Sequence, residues 1–133
     1  MLNASENDVV ETKSLYQKGF LSITRQSKDN KYIDFLFLSG MYAFEQDGWR
    51  IETSGEPVCI SFEYQNNAYI IQNDKPVVIK LPFLSGKKTA ELRLYEEGQL
   101  VETRQGLVNR ADPNQLEFRL SKGYKKATIF FND

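Results

Sequence analysis

A chain of 133 residues with one cysteine and no histidine suits a single domain that buries its core without disulfides. Seventeen basic and eighteen acidic side chains nearly cancel, to a net charge of −1, which leaves no electrostatic footprint for nucleic acid or an anionic membrane. Without histidine there is no Ser-His-Asp or Cys-His catalysis and no imidazole ligand, and a lone cysteine excludes Cys-type zinc centres.

Residues 1–13, MLNASENDVVETK, read as a flexible polar head. They show neither a basic n-region nor an apolar h-region, so they do not read as a secretory signal. Location stays unassigned, with an extracytoplasmic or virion setting open if the first methionine is not native. The alternative for SENDVVETKSLY is one short helix capped by Ser5 or Asn7. Residues 14–133 read as one domain of short strands. In GFLSITRQ, Phe20, Ser22 and Thr24 alternate with Leu21, Ile23 and Arg25, the period of a strand. KYIDFLFL follows, with Ile33, Phe35 and Phe37 on one face and Leu36 and Leu38 on the other. That pattern predicts a central strand covered on both sides, with Asp34 near a solvated end.

FEQDGWRIE predicts a hairpin about an Asp47-Gly48 type I′ turn. It sets Glu45 opposite Arg50, Phe44 opposite Ile51 and Tyr42 opposite Thr53. VCISFEYQNNAYIIQ predicts a second about Asn66-Asn67, with Tyr64 opposite Tyr69 and Phe62 opposite Ile71. Cys59 falls on the face away from Val58, Ile60 and Phe62, and reads as a structural thiol under a neighbouring element. KPVVIKLPF, bounded by Pro76 and Pro82, reads as an edge strand because proline cannot donate to a ladder.

LYEEGQLVETRQG repeats the hairpin pattern about Glu97-Gly98. Leu94 then meets Val101, Leu92 meets Thr103, Arg93 meets Glu102 and Glu91 meets Arg104. The motif FLSG also occurs twice, at Phe37 and at Phe83, but the two spacings differ. The echo therefore reads as shared turn grammar rather than duplication. After a loop on Asp112-Pro113-Asn114, LEFRLSKGYKKATIFF predicts two strands about Lys122-Gly123. The last of these is a second candidate edge. Nine or ten strands with regular turns predict an antiparallel β-sandwich of immunoglobulin-like or transthyretin-like build. A small barrel or trefoil is the alternative.

Phosphate-binding loops, the calcium loop and the nucleophile elbow are absent from the sequence. A hydrolase built on two carboxylates needs no histidine. Its candidates are Asp34, Glu45, Glu52, Glu63, Glu91 and Glu102, yet no spacing singles out a pair and most sit opposite arginine. The expectation is no enzyme, cofactor or metal. What remains is a protein-binding or assembly module, such as an accessory domain of an envelope complex, a phage particle or a toxin–immunity pair. Edge-strand pairing would join it to another protein, with neither nucleic acid nor membrane insertion involved. The alternative is a carbohydrate-binding domain. Its aromatic platform would use Trp49, Tyr64 and Tyr69 with the amides of Asn66 and Asn67.

Overall fold

The computed structural model describes residues 9–11, 15–27, 32–82, 89–109 and 112–132. Among them are twelve strands: β1 Val9–Glu11, β2 Leu15–Gln26, β3 Ile33–Gln46, β4 Trp49–Glu52, β5 Val58–Gln65, β6 Ala68–Asn73, β7 Val77–Pro82, β8 Thr89–Glu96, β9 Gln99–Gln105, β10 Leu107–Asn109, β11 Asp112–Leu120 and β12 Tyr124–Asn132. They form a single, strongly curled antiparallel sheet, and no described residue is helical. The antiparallel all-β expectation holds at that level.

Three tight turns organise the chain. Asp47 and Gly48, Asn66 and Asn67, and Glu97 and Gly98 all have positive φ, between 50° and 86°, as type I′ hairpins require. The first two hairpins have the predicted register, with Phe44 opposite Ile51 and Tyr64 opposite Tyr69. The third keeps its turn but not its register. Between Leu94 and Tyr95 the pairing shifts, so Tyr95 faces Leu100 while Leu94 faces Glu102. Val101 is the extra residue of a bulge, and each later partner moves by one. The predicted cross-strand charge pairs consequently become pairs along one strand, Arg93 with Glu91 at 2.6 Å and Arg104 with Glu102.

β3 shapes the sheet. It pairs with β2 along one side, while its other side meets β5 over Phe35–Met41 and β4 over Ala43–Gln46. Registers shift at Lys18/Gly19 and at Leu38/Met41, where β2 and β3 bend together. Gly40 has a φ of +59°, and a Cβ at Gly19 would lie 2.7 Å from the Gly40 carbonyl oxygen. The two glycines allow the bend. From it diverge two arms, β5-β6-β12-β8-β9 and β4-β7-β11-β10. The far ends of the arms, β9 and β10, are consecutive in the chain and joined at Gly106. The Gly106 N–H donates to the Ala90 carbonyl at 2.8 Å, and a Cβ at Gly106 would come within 2.8 Å of Phe118 Cζ. Both arms turn their inner faces onto one core: Ile60, Phe62, Ile71 and Ile129 from one, Ile51, Ile79, Leu81 and Phe118 from the other.

Several expectations are corrected. β7 lies between β4 and β11, and β12 lies between β6 and β8, so neither is an edge. Pro82 is the last residue of β7, where a missing N–H costs little, so proline marks the strand's end. Nor does the end of a chain fix where its last strand sits in a sheet. Asp112 to Asn114 begin β11 rather than a loop. β11 and β12 flank Lys122-Gly123 as predicted, but they pair with different strands, so this connection crosses between the arms. Buried Asn73 holds it: its Nδ2 donates to the carbonyls of Lys75 and Lys122, and its Oδ1 accepts from Tyr124 N–H at 3.0 Å. Val9–Glu11, within the predicted head, pair with β2 as a strand rather than forming a helix. The second FLSG motif lies outside the described residues.

Candidate functional site

The aromatic candidates are together, in the core. Tyr69 is their centre, with ring centroids of Trp49 and Tyr64 each at 5.2 Å and Phe131 at 6.0 Å, all edge-to-face. Trp49 and Tyr69 are each only 1% exposed. Tyr69 donates its hydroxyl to the Ile33 carbonyl at 2.6 Å, and burial pushes its pKa well above the usual tyrosine range. Neither ring offers a face to a ligand. Tyr64 is half-buried and its hydroxyl donates to Asn67 Oδ1 at 3.4 Å. Asn66 and Asn67 are exposed, but their left-handed backbone accounts for their identity at the turn. The inward phase of Trp49 and Tyr69 in their hairpins was the signal for this outcome, and it outweighs the platform reading.

The outer surface of the β4 arm is a charge ladder. Register aligns Glu45, Arg50, Lys80 and Glu117 in one row across β3, β4, β7 and β11. Arg50 and Lys80 are neighbours of like charge, and Glu52 lies between them, at 3.4 Å from Arg50 and 3.0 Å from Lys80. Lys80 also reaches Glu117 at 3.8 Å, and Glu117 meets Arg119 at 3.1 Å. Each of these carboxylates is thus engaged by a cation, and Glu45, Arg50 and Glu52 also line a shallow concavity of about 300 Å³ beside Tyr16. Asp34 is bound likewise, by Arg25 at 2.7 Å; that hydrogen bond raises the Arg25 pKa. Among the described residues no group of acidic or cysteine side chains is arranged to hold a metal.

A groove of about 330 Å³ lies beside this ladder, walled by Val77, Val78 and Leu120 with Arg104 and Arg119 at its rim. Both guanidinium groups already bind carboxylates, Glu102 and Glu117 respectively, and Arg104 also donates to the Arg119 carbonyl.

Across β2, β3 and the other arm the outer surface carries apolar side chains among polar ones. Register builds one row from Ile23, Phe37, Ser61 and Gln72, and the next from Arg25, Phe35, Glu63 and Ile70. Leu21 and Ser39 stand beside them. Ile23 is 40% exposed, while Leu21, Phe35 and Phe37 are half-buried. Phe20, on the opposite side of β2, is 47% exposed. β1 occupies the outer edge of β2 only at Tyr16–Lys18. From Gly19 to Gln26 no strand among the described residues pairs with that edge.

Cys59 lies on this surface, exposed rather than covered as expected, with Ser39 Oγ 3.8 Å from its sulfur. Its phase was predicted correctly; no further layer among the described residues packs over that row. The alternation of FLSITR and DFLFL was legible in the sequence. Ile33, expected beside Phe35 and Phe37, instead lies in the core with Leu36 and Leu38, because the pairing shifts at Arg25/Gln26. That the outward half of this alternation would remain uncovered was not legible, because hydrophobicity alone reads as burial.

No protein-family model matches this sequence, and no curated protein matches it as a relative. No helix among the described residues is long and apolar enough to cross a membrane.

Proposed function

We propose that this protein is a non-catalytic protein-binding or assembly module, and that it binds through the outer surface and open edge of β2. One observation carries the reading: Leu21, Ile23, Phe35 and Phe37 line an outward surface beside a strand edge without a partner among the described residues. Exposed edges of this kind add strands from other chains, and apolar side chains beside them supply the affinity. The layered form that suits such a module is a sandwich whose two arms face each other across the core. Such a module would serve as an accessory domain of an envelope complex, a phage particle or a toxin–immunity pair.

The test is affinity capture from extracts of the source organism, using the wild type and the Phe37→Ser variant in parallel. The reading expects a protein held in stoichiometric amount by the wild type and lost from the variant. Equal recovery of every protein by both baits would overturn it.

A further inference from the structure

We infer that the partner on the β2 edge is a second copy of this chain, paired antiparallel through Gly19–Arg25 about a two-fold axis at Ser22. The inference rests on the binding reading above and names its partner.

The boundaries of the open edge select the axis. On one side β1 already covers Lys18, and on the other β2 ends at Gln26. The register shift at Arg25/Gln26 takes Gln26 out of the regular strand. A two-fold at Ser22, the centre of Gly19–Arg25, therefore uses the whole regular part of the open edge and stops where β1 begins. A closed dimer interface must be self-complementary, and this strand satisfies that condition. Leu21 faces the partner subunit's Ile23, Phe20 faces the partner subunit's Thr24, and Ser22 faces itself. Arg25, which is held by Asp34, faces the partner subunit's Gly19, where no side chain competes for space. Phe37 stands directly behind Ile23 in its row, so the apolar rows of the two copies merge into one.

The edge also lacks protection against this pairing. Exposed edges are normally blunted by charge, proline or a bulge, yet Phe20 to Thr24 contain no charge and no proline. The register shifts of β2 lie outside that stretch, at Lys18/Gly19 and Arg25/Gln26. β9 provides the contrast. Its Leu100 and Val101 are 52% and 51% exposed, but its bulge falls at Val101, within the apolar stretch itself, whereas the shifts of β2 and its Arg25–Asp34 pair flank Phe20–Thr24.

The experiment is sedimentation equilibrium of the full chain from low to high micromolar concentration. The expected mass rises from 15.4 kDa toward twice that value. Ile23→Lys should stay monomeric with an unchanged circular dichroism spectrum, while Leu100→Lys should dimerise like the wild type. A cysteine cross-link then tests the axis. In a Cys59→Ser background, Ser22→Cys should form a disulfide-linked dimer on mild oxidation, because opposed strand residues lie within bridging distance. Thr24→Cys, which does not face itself, should not. A monomer at every concentration would overturn the inference, as would a dimer that survives Ile23→Lys. So would a chain that dimerises only after residues 1–8 are removed, since its own head would then hold the edge. If the chain is monomeric but Phe37→Ser still abolishes capture of another protein, the binding reading stands and only the self-pairing fails.

Discussion

β3 contributes to two outer surfaces that differ completely, although one strand builds both. Beyond its bend, Glu45 joins a ladder in which each cation lies near a carboxylate, through Arg50, Glu52, Lys80 and Glu117. Before the bend, Phe37 lies among Leu21, Ile23 and two serines, and Phe35 lies between Arg25 and Glu63. The ladder is complete within the sheet and needs only water outside it. In the apolar rows Arg25 lies over the Phe35 ring at 5.6 Å, but Ile23 stays 40% exposed, and burying such surface is favourable at about 25 cal/mol per Å². On our reading, that difference separates the solvent face of the module from its binding face.

The largest expected effect tests whether the two arms truly share a core. Gly106→Val drives a branched side chain into Phe118 and Leu116 where the arms rejoin. It should cost about 2–3 kcal/mol by overpacking, measured by denaturant unfolding, and it should shift a single transition. Two separate transitions would mean that the arms unfold independently.

Tyr69→Phe comes next, with a loss of about 1–2 kcal/mol as the Ile33 carbonyl loses its donor. Its pH dependence sharpens the assignment. The folded pKa of Tyr69 is raised above the ordinary value of 10.0, so its contribution is fully present below pH 10 and falls as pH rises past it. The wild type should therefore lose more stability than Tyr69→Phe between neutral pH and pH 11, as followed by urea unfolding.

Lys80→Ala leaves Glu52 and Glu117 without their shared cation. It should cost roughly 0.5–1 kcal/mol, with the deficit shrinking at high salt, and it should leave assembly untouched. The smallest effect on stability belongs to Ile23→Lys, within about 0.5 kcal/mol of wild type for an exposed site. If Ile23→Lys were instead as destabilising as Tyr69→Phe, Ile23 would be a core residue and the apolar surface would need another explanation.

The three tight turns were legible in the sequence, unlike the loop expected at Asp112-Pro113-Asn114, which begins β11. Asp-Gly, Asn-Asn and Glu-Gly each tolerate positive φ, and the two hairpins that lack bulges have the predicted pairs. The slip at Val101 was not legible, because a bulge inserts one residue without any change in local composition. The order of strands was also hidden: Pro82 and the chain end both suggested edges, but neighbours distant in sequence cover β7 and β12. The buried fates of Trp49 and Tyr69 followed from their phase. The outward apolar surface was missed for a related reason, since Phe35 and Phe37 look like core residues until it is seen that no second layer among the described residues covers them.

The most direct measurement is amide hydrogen exchange of the full chain as its concentration rises from low to high micromolar. The account predicts that protection grows across Gly19–Arg25 of β2 and stays constant in β4, β7 and β11. Protection that does not change in β2, or that grows on the charged ladder instead, would contradict it.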